Sequence, residues 1–251
     1  MSCLGIIGGT GLSDLPELVA YGEHEVSTPY GAPSGPLLEG RLGEAAVFFL
    51  HRHGGPATIP PHRINYRANI WAMQSLGASD VVGINAVGGI GAAMHPGRLV
   101  IPDQIIDYTW GREHSFDDGR DGRLLHIDFT EPYDRELRLA LLAAAETEQI
   151  DCERAGVHGV MQGPRLETAA EVRKLARDGC DLVGMTGMPE AALARELGLS
   201  YAAVCMVVNP AAGLGDVPLS QAAMHQILNR EAAVVGRLLQ TLVAARFTGA
   251  D

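Results

Sequence analysis

The stretch that decides the fold is YAAVCMVVNPAAG, which runs from Tyr201 to Gly213. Its opening residues are almost entirely apolar, which predicts a strand buried on both faces of a sheet. We expect the strand to end at Val208, just before Asn209, because Pro210 has no N–H to give to a sheet. Ligands of parallel α/β sheets bind at the carboxyl ends of strands, so the Asn209 amide is a candidate for holding a planar heterocycle. Taken alone, a turn or cap is the commoner role for an Asn in this position.

Outward from this stretch, apolar strand-like segments alternate with amphipathic ones, which predicts an α/β protein. The predicted strands are 3–8, 37–40, 45–50, 80–86, 98–101, 104–107, 156–162, 180–184 and 201–208. The predicted helices are 65–76, 134–148, 168–178, 189–197 and one that follows 220. Residues 108–132 are polar and rich in Gly and Asp, and we expect them to form a long loop. We therefore predict a single domain over residues 1–251, an α/β fold whose central mixed sheet is flanked by helices.

The composition argues against several classes of partner. The formal net charge of −11 disfavours nucleic acid, because phosphate backbones need stripes of Lys and Arg. A small anion remains compatible, since a pocket of Arg, His and backbone N–H groups can bind one. No apolar segment is long enough to span a membrane, and a strand begins almost at once without a signal peptide, so a cytoplasmic location is expected. The cysteines are far apart and lack metal-binding spacing, so no metal is expected.

Two polar segments at predicted strand ends suit an anion. Gly8-Gly9-Thr10-Gly11 follows the first strand, and its backbone N–H groups and hydroxyl are fitted to a phosphate oxygen. Its spacing is not GxGxxG and it has no Lys, so neither a dinucleotide fingerprint nor a Walker A loop is indicated. Arg52 and His53 follow another strand and offer a guanidinium fork and a titratable donor. The alternatives are a plain tight turn and a solvated surface pair.

Three further junctions carry small or polar residues. Residues 85–89 end a strand in small side chains that let a ligand approach the backbone. Leu166 and Glu167 are candidates for a ring face and a polar ring edge. Met185 and Thr186 are candidates for covering a sugar and donating to an anion. For each there is a simpler alternative: a packing turn, a core residue, or a residue that caps a helix.

Six motifs, taken in order over nearly the full chain, resemble the trimeric purine nucleoside phosphorylase and methylthioadenosine phosphorylase family. They are GIIGGTGL (5–12), RHG (52–54), NYRANIWA (65–72), QGPRLET (162–168), GMTGMPEA (184–191) and VVNPAAG (207–213). Within the family, NPAAG together with GMTGMPEA is most similar to the bacterial S-methyl-5′-thioinosine phosphorylases. The resemblance implies the nucleoside phosphorylase fold and a homotrimer.

The resemblance also implies where inorganic phosphate binds, as a co-substrate and without any cofactor. The implied phosphate-binding residues are Thr10, Arg52, His53, Asn85, Ala86 and Thr186. His53, together with Asn209 at the base, is implied to be catalytic. The partners are then a purine nucleoside and phosphate, with neither nucleic acid nor a membrane.

For the nucleoside, the resemblance implies contacts along the sugar, the base and the 5′ side. The implied substrate-binding residues are Met185, Asn209, Pro210, Ala211, Leu166 and His126, the last reaching the substrate of a neighbouring subunit. Glu167 and Ala222 are expected to bear on specificity.

The substrate follows from one departure. Methylthioadenosine phosphorylases that resemble this chain carry Asp at the positions of Asn209 and Ala211. Without a second carboxylate a 6-amino group lacks its acceptor, and an unpaired buried polar group costs about 1–3 kcal/mol. We therefore expect reversible phosphorolysis of S-methyl-5′-thioinosine to hypoxanthine and 5-methylthioribose 1-phosphate, in purine and methionine salvage.

Four alternatives stay open at this point. In the same fold they are a methylthioadenosine phosphorylase and a general inosine/guanosine phosphorylase. Outside it they are a nucleotide-binding dehydrogenase and a purine-binding protein without phosphate-dependent turnover.

Overall fold

The sheet and its helices follow the alternation in the sequence. The computed structural model describes residues 3–9, 15, 17–55, 58–119, 124–215 and 221–247. In that part of the chain the strands are β1 Leu4–Gly8, β2 Leu18–His24, β3 Leu37–Leu42, β4 Ala45–His51, β5 Asp80–Gly89, β6 Leu99–Val100, β7 Gln104–Asp107, β8 Cys152–Glu153, β9 Val157–Val160, β10 Leu182–Gly184 and β11 Ser200–Pro210. The helices are α1 Tyr66–Ser75, α2 Arg135–Thr147, α3 Ala169–Arg177, α4 Gly187–Glu196 and α5 Gln221–Arg246, with a 3₁₀ turn at Pro61–Arg63.

Strand pairing brings several strand ends to one edge of the sheet. The order is β2-β3-β4-β1-β5-β10-β9-β7, while β11 pairs with β5 and β6. β1 runs parallel to both β4 and β5, and β11 runs parallel to β5. β10 runs antiparallel to β5, which makes the sheet mixed. The predicted mixed α/β fold is confirmed, and the carboxyl ends of β1, β4, β5 and β11 lie together.

β11 is buried on both faces, as its sequence predicts. Ala202, Val204 and Met206 belong to the apolar cluster formed with α2 and α5, whereas Ala203 and Cys205 belong to the cluster formed with α1 and α4. Successive side chains of a strand point to opposite faces, so a continuous apolar run fills both layers. Helices therefore cover both faces of the central sheet.

Where β11 ends differs from the expectation. The strand continues through Asn209 and Pro210, which pair with Gly88 and Gly89 of β5 after a register shift that follows Val207. The predicted end at 208 was wrong because Pro210 stands at the last position of the strand, beside a bulge, where a missing N–H is tolerated.

Two strands escaped prediction for different reasons. β2 has an exposed, irregular pattern, with Val19 and Tyr21 largely in solvent, so its apolar periodicity is weak. β8 is a two-residue strand, too short for any periodic signal.

Helix starts agree with the capping signals in the sequence. Asp134 accepts a hydrogen bond from the backbone N of Leu137 at the start of α2. Thr168 and Glu171 form a reciprocal capping box at the start of α3. These caps orient the helices that follow β7 and β9.

One buried His lies in the sheet itself. His158 of β9 is fully buried, its Nδ1 lies 3.3 Å from the Tyr133 hydroxyl, and its Nε2 has no partner in the described residues. Burial, reinforced by the charge of Arg52, lowers the pKa of His158 to about 4. The ring is therefore neutral at neutral pH.

We predict that His158 makes the fold acid-labile. The unfolded chain takes up a proton near the ordinary pKa of 6.5, whereas the folded chain takes it up only near 4, so the free energy of unfolding falls as the pH is lowered through this window. The loss reaches roughly 3 kcal/mol when the window has been crossed. Urea unfolding at several pH values measures it.

The control for this prediction is an exposed histidine. His158→Asn should flatten the dependence on pH, although it also lowers stability at neutral pH, while His95→Asn should leave the dependence unchanged. An equally steep fall in the two variants would contradict the assignment to His158.

Candidate active site

A cavity of about 300 Å³ opens where the strand ends meet. Most of its wall consists of residues that follow or end strands, and α5 closes one side. The lining residues used below are Gly9, Arg52, His53, Pro61, Ala86, Gly88, Leu166, Glu167, Met185, Thr186, Asn209, Ala211, Met224, His225 and Leu228. A pocket formed at strand ends is the usual ligand site of an α/β sheet.

The innermost charged group is Arg52, whose side chain is fully buried together with that of Glu190. Arg52 Nε and Nη2 donate to the two Glu190 carboxylate oxygens, each at 2.8 Å. The Tyr201 hydroxyl donates to Glu190 Oε1 at 2.7 Å. Burial opposes the charge on Arg52, but the Glu190 carboxylate outweighs it and raises the pKa of the guanidinium above its ordinary value. The Arg is thus a fixed cation with a built-in counter-ion.

The other Arg52 donors are also largely engaged. Nη1 donates to the Ile84 carbonyl at 2.7 Å, and Nη2 also reaches the Ile7 carbonyl at 3.3 Å. A guanidinium has five N–H groups, so one hydrogen on Nη1 is left without an acceptor in the described part of the chain. Nη1 lies 2.8 Å from the place that a Cβ on Gly9 would take, and both residues line the cavity. Glycine at position 9 therefore keeps this donor open toward a ligand.

His53 lies beside Arg52 in the cavity wall. Its Nδ1 is 2.9 Å from the Ile59 carbonyl, which can only accept, so Nδ1 carries a proton. Burial lowers the pKa of the ring, against the opposite effect of this hydrogen bond. The neutral form then has an unprotonated Nε2, which accepts a proton or a hydrogen bond from a ligand.

Thr186 and Asn85 form a buried polar pair. The Thr186 hydroxyl donates to Asn85 Oδ1 at 2.9 Å, and Asn85 Nδ2 donates to the Gly83 carbonyl. Thr186 lines the cavity and makes no side-chain cap to α4, in which Met188 departs from helical geometry. Asn85 does not line the cavity, and its side-chain oxygen orients the Thr186 hydroxyl.

At the opposite end, Asn209 and Glu167 present polar groups. One Asn209 Nδ2 hydrogen is donated to the Pro210 carbonyl at 2.6 Å, and within the described residues the second hydrogen and Oδ1 have no partner. Burial raises the pKa of the Glu167 carboxyl above its ordinary value. Ala211 also lines the cavity, is buried, and has no polar side-chain group.

Comparisons with known proteins agree with this geometry. Residues 4–244 match the model of the phosphorylase superfamily. The chain belongs to this superfamily.

The proteins that the chain is similar to include three kinds of nucleoside phosphorylase. A probable S-methyl-5′-thioinosine phosphorylase of Xylella fastidiosa is 52% identical over 92% of this chain and 97% of its own length. The 6-oxopurine nucleoside phosphorylase of Pyrococcus furiosus is 41% identical over 95% of this chain and 91% of its own. The structure of methylthioadenosine phosphorylase from Schistosoma mansoni in complex with adenine superposes with a TM-score of 0.94 at 31% identity, covering 100% of this chain and 93% of that one. The family resemblance and the nucleoside phosphorylase fold are thereby confirmed.

In this superfamily member the cavity brings together most of the residues that the sequence singled out. The predicted site residues in its wall are Arg52, His53, Ala86, Leu166, Glu167, Met185, Thr186, Asn209 and Ala211. Pro210 is adjacent and holds Asn209 through its carbonyl. Thr10 lies outside the described residues.

Besides Pro210, three predicted residues in the described part of the chain do not line the cavity. Asn85, expected at the phosphate, contacts Thr186 instead. His126 is exposed and does not line the cavity of its own chain. Ala222 is also exposed, while Met224, His225 and Leu228 of the same helix face the cavity. The apolar pattern of α5 predicts that Met224 and Leu228 are core residues. Nothing in the sequence indicates separately that they also line the cavity.

Glu190 is the functional residue that sequence reasoning missed. It stands in the GMTGMPEA motif, but a carboxylate in the first turn of a helix is ordinarily an exposed, dipole-stabilised group. Only the fold reveals that it is buried against Arg52 from a different part of the chain.

We predict strong coupling between Arg52 and Glu190. Glu190→Gln leaves the buried guanidinium without its counter-charge and should lower the free energy of unfolding by about 3–5 kcal/mol. Arg52→Met should have an effect of similar size, and the double variant Arg52→Met/Glu190→Leu should lose less than the sum of the single changes. Urea unfolding provides the measurement.

The exposed bidentate pair of Arg165 and Glu171 is the matched control. Arg165→Met should cost far less, since water solvates either partner. Additive losses in the Arg52–Glu190 cycle would contradict the coupling.

Proposed function

We propose that the chain catalyses reversible phosphorolysis of S-methyl-5′-thioinosine, which yields hypoxanthine and 5-methylthioribose 1-phosphate for purine and methionine salvage. The observation that carries the proposal is that the cavity wall holds Asn209, Glu167 and a buried Ala211. Relatives that are about half identical and bear this activity in their names support it.

The polar groups at the base end match the edge of a 6-oxopurine. Such a base offers acceptors at N7 and O6 and a donor at N1–H. The available Asn209 N–H would donate to N7 or O6, and the Glu167 carboxylate would accept from N1–H. A 6-aminopurine offers an acceptor at N1 and a donor amine, so it would meet a carboxylate at N1 and no acceptor at Ala211. Each unpaired group costs about 1–3 kcal/mol in a buried site.

The phosphate end supplies donors without excess charge. Arg52 would give its remaining Nη1 hydrogen, and the Thr186 hydroxyl would turn from Asn85 toward a phosphate oxygen. The neutral His53 ring would bind a protonated phosphate oxygen through Nε2, or take up a proton and donate to a dianion. The cavity thus holds an anion mainly by directed hydrogen bonds, and Thr10 would add to them.

Chemistry would take place between these two ends. As the glycosidic bond lengthens, negative charge grows on the purine, and the Asn209 N–H would stabilise it as an oxyanion-hole donor does. Phosphate would attack C1′ from the opposite face, and Met185 would lie against the ribose. Holding two reactants in line supplies several kcal/mol of the barrier reduction.

A homotrimer is part of the proposal. His126 is exposed and follows Leu124 and Leu125, whose side chains are 78% and 52% exposed. Trp110, in the same loop, is 71% exposed. Large apolar side chains exposed at the surface are typical of an interface, and a second copy that binds here would receive His126 at its substrate. We also propose a cytoplasmic location. No helix of the described residues is long and apolar enough to cross a membrane.

The second candidate is a general 6-oxopurine nucleoside phosphorylase. It shares the base contacts, and His225 in the cavity wall favours it because an imidazole suits a 5′-hydroxyl. Met224 and Leu228 in the same wall favour a 5′-methylthio group, since a thioether packs against apolar side chains.

The first experiment compares phosphate-dependent cleavage of methylthioinosine, methylthioadenosine, inosine and adenosine by kcat/KM. We expect methylthioinosine to be preferred over methylthioadenosine by about ten-fold or more, the effect of one unpaired buried polar group. The same reaction without phosphate is the control. Inosine as the best substrate would favour the second candidate, and methylthioadenosine as the best would contradict the assignment of Asn209.

Asn209→Asp isolates the base contact. A protonated Asp donates to N7 and an ionised one accepts from a 6-amino group, so the ratio of kcat/KM for methylthioinosine over methylthioadenosine should fall about ten-fold or more. Ala212→Ser, which alters another residue of the same wall without a charge, is the control and should leave the ratio nearly unchanged. An unaltered ratio in Asn209→Asp would rule out its role in selecting the base.

A further inference from the structure

Arg112 links two neighbouring segments, the chain after β9 and the chain after β10, that both contribute to the cavity wall. It lies in the segment after β7 and is half-buried. Its Nη1 donates to the carbonyls of Met185 at 2.9 Å and Met188 at 2.6 Å. Its Nη2 donates to the carbonyl of Gln162 at 2.8 Å and reaches that of Met161 at 3.3 Å. One planar group therefore holds the chain after β10 and the chain after β9.

These two segments serve the two ends of the site. The first carries Met185 and Thr186, at the sugar and phosphate. The second leads from Gln162 to Leu166 and Glu167, at the base. Arg112 does not line the cavity, so any effect on a substrate must pass through these residues.

The guanidinium is itself held in place. Its Nε donates to the Gln162 side-chain oxygen, and Nη1 also contacts the Tyr66 hydroxyl, each at 3.2 Å. The Arg112 carbonyl is 2.8 Å from Nδ1 of His114, whose Nε2 lies 3.3 Å from Asp107 Oδ2. The segment is thus braced on both sides of Arg112, at the end of β7.

The bonding pattern requires the fork of an arginine. In the described residues Arg112 has no carboxylate partner, and burial lowers the pKa of its guanidinium. Its charge is balanced by carbonyl dipoles from two segments. A lysine ammonium is a single point on a flexible stem, so it cannot hold both carbonyl groups in one plane.

We infer that Arg112 is a positioning residue, which sets the distance between the phosphate end and the base end of the site. The inference rests on the proposed phosphorolysis, because only a two-reactant reaction makes that distance matter. Each end keeps its own residues when the link is lost. The affinity for one ligand alone should then persist, while the rate of reaction between the two bound reactants should fall because they are no longer held in line. A misplacement of about 1 Å costs up to about 100-fold in rate.

The test separates single-ligand binding from turnover in Arg112→Lys and, should that variant fold poorly, Arg112→Gln. Titration calorimetry with inorganic phosphate alone and with hypoxanthine alone should give dissociation constants within about three-fold of those of the parent. At an assay temperature well below the melting temperature of the variant, the kcat for the best nucleoside substrate should fall by about 10- to 100-fold.

Arg138 supplies a matched control. It also donates to backbone carbonyls, those of Pro102 at 2.7 Å and Arg154 at 2.8 Å, but it is remote from the cavity wall. Arg138→Lys should lower the melting temperature and leave kcat within about two-fold of the parent.

Two results would overturn the inference. One is an equal fall of kcat in Arg112→Lys and Arg138→Lys, which would mean a general structural effect. The other is a loss of single-ligand affinity as large as the loss of kcat, which would mean that Arg112 shapes each end separately. If the parent chain shows no phosphorolysis, the proposed function fails instead, and that outcome is distinct because it precedes any comparison of variants.

Discussion

The ion pair between Arg52 and Glu190 is the interaction on which the site depends. Each partner is fully buried, so neither charge has water to solvate it, and each is tolerable only because the other is present. The Arg52 fork leaves β4, and the carbonyls it also reaches belong to β1 and β5. Glu190 comes from α4 and accepts from Tyr201 on β11. One polar cluster therefore fastens four strands and a helix at the edge where the cavity opens.

This arrangement would allow an acidic protein to bind an anion in its interior, as the proposed reaction requires. A lone buried Arg would attract phosphate strongly but would greatly lower the stability of the ligand-free fold. The paired Arg is tolerated without a ligand. The chain retains one directed N–H, a neutral imidazole and a hydroxyl held by Asn85. Apart from the Thr186 hydroxyl, which would turn from Asn85, these groups are pre-oriented by hydrogen bonds to their neighbours, so little reorganisation would be needed on binding phosphate.

The sequence predicted most of the elements, and most of the site residues it singled out lie in the cavity wall, because both rest on local signals. A continuous apolar run predicts a central strand that is buried on both faces. In parallel sheets, functional side chains are expected at the carboxyl ends of such strands. What it missed depends on contacts between distant segments. Glu190 is 138 residues from Arg52, and nothing near it in sequence marks it as buried. The end of β11 was missed because a bulge lets Pro210 complete the strand. The side of α5 that faces the cavity could not be separated from the core side, since both are apolar.

The two ends of the site differ in how freely they can change. The phosphate end is tied to the buried ion pair, so a substitution there disturbs the sheet as well as the ligand. The base end consists of the last residues of β11 and of the loop that leads to α3, where, among the described residues, Asn209 bonds to the adjacent Pro210 carbonyl and the small Ala211 side chain follows it. Exchanging amides and carboxylates at these positions alters which purine edge is satisfied without breaking the core. A fold of this kind can therefore keep one phosphate site while its relatives bear the names of 6-oxopurine and methylthioadenosine phosphorylases.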